Sequence, residues 1–312
     1  MKSSAWQPTL ERVLCALDVE QPVLSALTLA SLIAKRFEAA LEALYVGKGT
    51  GAAAFGGPLT STGRVDELMS SHNSEQQLEE IVRALGHELP AMTRFVLGSP
   101  APAILEHAEK PGCDLIVLGA RQRSDLGWQF RDDVARDVAA LASCATLTVH
   151  ERDAPDSIER ILVPVDFGSV SSSALDWAAL FAARFGAQVQ LLHVVSRERS
   201  TTRGVNVEKN VVRSSNVPPD VAAELAELAA ELTRRGVAAQ SEVVIASNIA
   251  NGIADYNDRG EFDLVVLGMR GAPQGPARLT RGIVSTLRSR MSIPVLTLRA
   301  PQRDDSRVAS GD

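Results

Sequence analysis

Two turns in the second half of the chain contain residue types that could hold a phosphate-bearing ligand. Gly268 and Gly271 follow an apolar run of strand length, and glycines let backbone N–H groups approach phosphate oxygens. The helix predicted after them would add about half an elementary positive charge at its N-terminus. The spacing predicts an anion-binding turn, and the alternative is a tight turn that serves folding alone.

Charged side chains near these turns could bind other parts of a nucleotide. Asp166 follows another apolar run, where its carboxylate could accept hydrogen bonds from an adenine amino group or a ribose hydroxyl. The alternative is a residue that caps a helix or closes a turn. Arg270, Arg278 and Arg281 could neutralise phosphates through their forked donors, or could be solvated surface residues.

These residues belong to a sequence that occurs twice. The segment Arg12-Val-Leu-Cys-Ala-Leu-Asp18 returns as Arg160-Ile-Leu-Val-Pro-Val-Asp166, 148 residues later, and Gly119 returns as Gly268, 149 residues later. One register kept over the length of a domain indicates a tandem duplication. A feature found in only one copy is therefore a better candidate for function than a feature that both copies share.

The duplication predicts two domains of the α/β class. We expect a first copy over residues 1–150, a second over 151–300 that begins with a polar linker near Pro155, and a disordered tail over 301–312. Apolar runs without polar alternation are typical of strands buried on both faces. Each copy is predicted to be a doubly wound, Rossmann-like domain with a five-stranded parallel sheet and helices on both faces.

The predicted elements follow one order in both copies. Pro22 and Pro218-Pro219 could open helices, and Gly186 and Gly236 could close them in the left-handed conformation. The strands are predicted at 12–17, 40–46, 92–97, 114–118 and 145–149, and at 160–165, 187–195, 237–245, 263–267 and 294–298. The helices are predicted at 22–37, 66–88, 101–110 and 132–142, and at 170–185, 218–235, 248–258 and 281–290.

The fold class places the candidate ligand crevice beyond the carboxyl ends of the first and fourth strands of each copy. In the second copy this brings Asp166 and Gly268 together. In the first copy, Gln122 stands where the second copy has Gly271, and bulky or acidic residues follow it, which would hinder or repel a polyphosphate: Asp125, Trp128, Phe130, Asp132 and Asp133. We expect the first crevice to be empty or differently used.

Composition excludes several classes of function. With 32 Lys+Arg and 38 Asp+Glu the net charge is -6, too acidic for a chain that coats nucleic acid. The N-terminus lacks an apolar signal core, and no apolar run approaches the roughly 20 residues that span a bilayer. The three cysteines have no metal-ligand spacing, which suits a reducing cytoplasm, and we interpret them as core residues with a reactive thiol as the alternative.

At this point the chain resembles a tandem member of the universal stress protein family, over nearly all of its length. The similar segments are Val163-Pro-Val-Asp166, Leu191-Leu-His-Val-Val195, Asp263-Leu-Val-Val-Leu-Gly268 and the last helix and strand. The resemblance implies an adenine nucleotide alpha hydrolase-like fold. It also implies that ATP or another adenine nucleotide, with or without Mg²⁺, binds in the second copy.

The resemblance also names the residues of that site, with two departures. ATP-binding members carry Gly-x-x-Gly, nine residues, then Gly-Ser or Gly-Thr. Here ten residues separate Gly271 from Gly282, and Ile283 replaces the hydroxyl, for which Thr280 or Ser285 could substitute. The implied cofactor-binding residues are Pro164, Val165, Asp166, Val194, Gly268, Met269, Arg270, Gly271, Arg281, Gly282, Ile283, Val284 and Ser285.

Two functions remain open at the level of the sequence. The resemblance implies a cytoplasmic, nucleotide-responsive regulator of stress adaptation. Neither a Gly-x4-Gly-Lys-Ser/Thr loop nor clustered histidines appear, so we expect at most slow ATP hydrolysis or autophosphorylation. The alternative is an interaction module that binds no nucleotide and dimerises. The last strand of each copy is an apolar edge that could pair within the chain or with a second chain.

Overall fold

The fold is described from a computed structural model. It describes residues 8–19, 22–47, 73–84, 92–110, 112–120, 132–151, 155–196, 219–269, 286–287 and 290–299. The first copy comprises β1 (Arg12–Leu17), α1 (Leu24–Phe37), β2 (Ala40–Gly47), α2 (73–84), β3 (Met92–Leu97), α3 (Pro100–Glu109), β4 (Leu115–Ala120), α4 (Asp132–Leu141) and β5 (Ala145–His150). The second copy comprises β6 (Arg160–Pro164), α5 (Ser169–Phe185), β7 (Gln188–Ser196), α6 (Pro219–Arg234), β8 (Ala239–Ala246), α7 (Ile249–Gly260), β9 (Leu264–Met269) and β10 (Val295–Arg299).

The α/β fold class is confirmed, and the predicted strands match the observed ones closely. Gly186 and Gly236 adopt left-handed φ angles of 74° and 84° after α5 and α6, as expected of residues without a Cβ. Helix α1 departs from prediction, because it begins at Leu24 with Val23 as its N-cap rather than at Pro22. Most of the predicted helix over 281–290 and the tail over 301–312 lie outside the described residues.

The strands form one sheet in the order β3-β2-β1-β4-β5-β10-β9-β6-β7-β8. Neighbouring strands within each copy are parallel, whereas β5 and β10 are antiparallel, with Leu147 opposite Leu296. Thr297 Oγ1 also donates to the Thr146 carbonyl across this seam, at 3.1 Å. The two apolar edges therefore pair within the chain, which was one of the two predicted arrangements.

Helices cover both faces of the sheet, so the inner strands are buried on both sides, whereas the edge strands β3 and β8 are more exposed. On one face, α1, α2, α5 and α6 contribute to a single apolar cluster that runs through both copies. On the other face, α3 and α4 cover the first copy and α7 covers the second, in two separate clusters. The uninterrupted apolar runs of the sequence follow directly from this arrangement.

The two copies also meet through aromatic rings at the ends of α1 and α5. The rings of Phe37 and Phe181 lie 5.3 Å apart. Each copy then places an arginine over a ring of the other, since Arg36 lies 5.6 Å from the Phe185 centroid and Arg184 lies 5.6 Å from the Phe37 centroid. These reciprocal cation–π contacts show that the copies pack with approximate twofold symmetry.

An aspartate aligns the start of the first strand with the start of the fourth in each copy. Asp114 Oδ2 accepts hydrogen bonds from the backbone N–H groups of Glu11 and Arg12, at 2.8 and 2.9 Å. Asp263 Oδ2 does the same for Glu159 and Arg160, at 2.8 Å each. Because both copies share this contact, it belongs to the fold.

No described helix is both long and apolar enough to cross a lipid bilayer.

Candidate functional site

The chain connections diverge between β6 and β9, where the fold class predicts a ligand crevice. These strands are parallel neighbours, with Ile161 opposite Leu264. After β6 the chain enters α5, which packs on the face of the shared cluster. After β9 it crosses to the opposite face, because Leu287 and Met291 belong to the second copy's own cluster. Asp166 and Met269 therefore flank a topological switch point at the carboxyl edge of the sheet.

Asp166 forms the turn that starts α5. Its Oδ1 accepts hydrogen bonds from the Gly168 backbone N–H at 2.9 Å and from Ser171 Oγ at 2.8 Å, and the Asp166 N–H lies 3.3 Å from Ser171 Oγ. This is the turn role that stood as the alternative to ligand binding. The side chain is nevertheless exposed at the switch point, so its position is compatible with a ligand as well.

His193, on β7, holds this turn through two contacts of its ring. Its Nδ1 lies 2.8 Å from the carbonyl oxygen of Val165, so the tautomer with a proton on Nδ1 donates to that oxygen. Phe167 adopts a left-handed φ of 56°, and its ring lies 4.9 Å from the His193 ring. A side chain rarely adopts this backbone conformation unless its surroundings hold it. The histidine ring provides that support.

The other described candidates differ in how far they could reach a ligand. Pro164 is partly exposed. The side chains of Val165, Val194 and Met269 are buried in the apolar clusters, and the Val165 N–H donates to the Leu192 carbonyl at 2.8 Å. These three side chains point into the apolar core and not toward the crevice. Any ligand contact from these residues would therefore come from their main chain.

Gly268 has a structural reason to be glycine. A Cβ there would lie 2.7 Å from the carbonyl oxygen of Val170, in the first turn of α5. The equivalent Gly119 faces the same restriction, since a Cβ there would lie 2.5 Å from the Cβ of Val23. Both glycines therefore permit close packing of a strand against the start of a helix, and Gly268 by itself is not evidence for a ligand.

Several predicted site residues fall outside the described part of the chain. This group comprises Arg270, Gly271, Arg281, Gly282, Ile283, Val284 and Ser285, together with the other two residues considered for phosphate contact, Arg278 and Thr280. The first-copy loop from Gln122 to Phe130, which was expected to leave that crevice empty or differently used, also lies outside it. Their contribution to the site remains a prediction.

Sequence reasoning missed Phe167, Ser171 and the role of His193. The spacing of Asp166 and Gly168 is typical of a turn closed by an aspartate side chain, so this signal could have been found. The contact between His193 and Val165 joins residues 28 apart and had no local signal. The structure thus places His193 beside the turn that carries Asp166. The described residues contain no group of three or more His, Cys, Asp or Glu side chains placed to hold a metal ion.

Comparisons with known proteins agree on one family. A model described as "Universal stress protein family" matches residues 9–150 and 157–299. Universal stress protein YxiE of Bacillus subtilis (strain 168) is 31% identical over 144 residues, covering 44% of this chain and 97% of that protein. The crystal structure of a universal stress protein from Archaeoglobus fulgidus DSM 4304 is similar with a TM-score of 0.65 at 14% identity, covering 93% of this chain and 97% of that one. A universal stress protein from Archaeoglobus fulgidus in complex with dAMP covers 45% of this chain and 96% of its own, at 15% identity and a TM-score of 0.33.

Proposed function

Because the chain belongs to the universal stress protein family, we propose that its second copy binds ATP or a related adenine nucleotide at the switch point between β6 and β9. The observation that carries this proposal is the position of Asp166, exposed on a rigid turn at the carboxyl edge of the sheet. Parallel sheets of this class bind ligands at that edge. The glycines from 271 onward would supply backbone donors to the phosphates.

The bound nucleotide acts as a signal in this proposal. Occupancy of the crevice changes the surface presented to a protein partner in the cytoplasm, and the chain thereby regulates stress adaptation. Turnover of the nucleotide is slow or absent in this proposal, because the chain carries no Gly-x4-Gly-Lys-Ser/Thr phosphate loop. Mg²⁺ would accompany the phosphates if ATP is the ligand.

A second candidate function is an interaction module that binds no nucleotide. Two observations favour it: Gly268 is explained by its packing against Val170, and Asp166 Oδ1 already closes a turn. The substitution of a hydroxyl residue by Ile283 points in the same direction. Nucleotide binding separates the two candidates.

The deciding experiment is calorimetric titration of the full chain with ATP and AMP, with and without Mg²⁺. The variant is Gly271→Val, which places a bulky side chain in the predicted phosphate loop and leaves Gly268 itself unchanged. The matched control is Gln122→Val, at the equivalent position of the first copy. We expect the parent and the control to bind one nucleotide and Gly271→Val to bind at least tenfold more weakly.

Other outcomes would overturn the proposal in distinct ways. Absence of heat with every nucleotide would leave the interaction module as the function. Loss of binding in Gln122→Val alone would move the site to the first copy. Unchanged affinity in Gly271→Val would exclude the loop as the phosphate site.

A further inference from the structure

Two of the three cysteines lie side by side at the amino edge of the sheet, at the opposite end of the strands from the crevice. Cys113 precedes β4 by two residues and Cys144 precedes β5 by one. The two strands are parallel neighbours with Leu115 opposite Ala145, and the backbone N–H of Ala145 donates to the Asp114 carbonyl at 3.2 Å. The paired region therefore reaches the residues next to both cysteines.

The geometry of this register suits a disulfide. Neighbouring strands lie about 4.8 Å apart and a strand rises about 3.3 Å per residue, so an offset of one residue separates the two Cα atoms by roughly 6 Å. Disulfides span Cα distances of about 4.4 to 6.8 Å. Strict alternation along paired strands would place residues offset by one on opposite faces, but Cys113 lies outside β4. Both cysteine side chains pack against the same apolar cluster of the first copy, so they lie on one face of the sheet.

The second copy shows that a thiol is not needed at either position for folding. Phe262 occupies the place of Cys113 and Ile293 the place of Cys144. Phe262 is buried in the second copy's cluster and Ile293 packs against it. An apolar side chain therefore satisfies the packing at both sites, and a pair of cysteines found in one copy alone calls for another explanation.

The three thiols differ in exposure and in the direction in which their surroundings shift their pKa values. The hydrogen bond from Cys144 is the main cause that holds the pKa of Cys113 below its ordinary value, against the opposing effect of burial. The same hydrogen bond, together with burial, raises the pKa of Cys144. Burial raises the pKa of Cys15 to about 12. Cys113 and Cys144 are partly exposed, whereas Cys15 is buried, so Cys113 is the thiol that ionises and meets an oxidant first.

We propose that Cys113 and Cys144, which are reduced in this structure, form a reversible disulfide when the protein meets a hydroperoxide. The Cys113 thiolate attacks the peroxide oxygen, the O–O bond breaks, and the alcohol or water leaves after protonation, which gives a sulfenic acid on Cys113. The Cys144 sulfur then attacks the Cys113 sulfur, and the hydroxyl leaves as water with the Cys144 proton. Two thiols and one hydroperoxide thus give one disulfide, one alcohol or water, and one water. A dithiol reductant then returns both cysteines to thiols by thiol–disulfide exchange and is itself oxidised to a disulfide.

The test uses the full chain, reduced, freed of reductant and exposed to hydrogen peroxide. The protein is then unfolded, alkylated with N-ethylmaleimide and weighed by mass spectrometry. We expect three maleimide groups before oxidation and one after it, on Cys15, with the peptides of Cys113 and Cys144 joined. Treatment with dithiothreitol should restore three. In Cys15→Ala the intrachain bond should still form, and in Cys144→Ser it should not.

Three results would overturn this proposal. These are retention of three alkylatable thiols after peroxide treatment, conversion of Cys113 to sulfinic acid without a crosslink, and crosslinks to Cys15 or between chains as the main product. The test is independent of the proposed nucleotide site, because it reads a covalent bond in the first copy and needs no ligand.

Discussion

At the scale of single residues, Gly268 is constrained by the main chain of its neighbour. A methyl group there would lie 2.7 Å from the Val170 carbonyl oxygen, which cannot rotate away as a side chain could. We expect Gly268→Ala to lower the free energy of unfolding by roughly 1–3 kcal/mol, as overpacking does. Urea denaturation followed by tryptophan fluorescence, to which Trp177, buried in α5, contributes, would measure the loss.

Two further glycines serve as controls for that measurement. Gly119→Ala should cost about as much, because its Cβ would meet Val23 at 2.5 Å. At Gly112 nothing lies within 4 Å of the added Cβ, and φ is +68°. Gly112→Ala therefore reports only the strain of a left-handed backbone, about 1–2 kcal/mol. A Gly268→Ala variant as stable as the parent would contradict the close packing of β9 against α5.

His193 makes a second prediction at the scale of residues, and it rests on the proposed nucleotide site. His193→Leu removes the donor to Val165 and the ring beneath Phe167, so the turn that carries Asp166 loosens. One hydrogen bond contributes about 0.5–1.5 kcal/mol, which corresponds to about two- to tenfold weaker ATP binding. His193→Asn places an amide donor near the position of Nδ1 and should restore part of the affinity. Titration calorimetry would measure both variants.

A purely structural role for His193 would give a different result. In that case the thermal stability of both variants would fall while their affinity for ATP stayed equal to that of the parent. Equal affinities in His193→Leu and His193→Asn, both lowered, would mean that the ring itself rather than its donor supports the turn.

At the scale of elements, the inner strands could be predicted because they are buried on both faces. A strand such as β4 has only apolar neighbours above and below, so its sequence is an uninterrupted apolar run. The start of α1 could not be predicted as well, because Val23 caps it without a side-chain hydrogen bond. The composition of that segment therefore carries no capping signal, and Pro22 was the strongest cue available.

The candidate site was predictable in its location but less so in its contacts. The position of Asp166 at the switch point follows from the order of strands and helices alone. The support from His193 depends on how β7 lies beside β6, and the packing of Gly268 depends on how closely α5 approaches β9. Such contacts join distant parts of the chain and leave no periodic signal. The duplication offered one clue to the packing role of Gly268, because Gly119 occurs at the same place in the first copy.

At the scale of the whole molecule, the two copies share one apolar cluster and one continuous sheet, so we expect them to unfold together. The sequence could not decide whether the apolar edges would pair within or between chains, because both pairings bury the same strands. The structure pairs β5 with β10 and places Phe181, which is fully buried, among rings from both copies. Loss of a side chain at this junction should therefore destabilise both copies together.

We expect Phe181→Ala to lower the free energy of unfolding by about 3–5 kcal/mol, the usual cost of removing a buried phenyl ring. Urea denaturation should still show one transition, coincident by fluorescence and by circular dichroism. Hydrogen exchange followed by mass spectrometry should then accelerate in peptides of β1 and β4 as well as of β6 and β9. The control is Leu141→Ala, at a side chain that is 55% exposed. It should change neither the free energy of unfolding nor the rates of hydrogen exchange. Faster exchange confined to the second copy, or two separate transitions, would show that the copies fold independently despite the shared sheet.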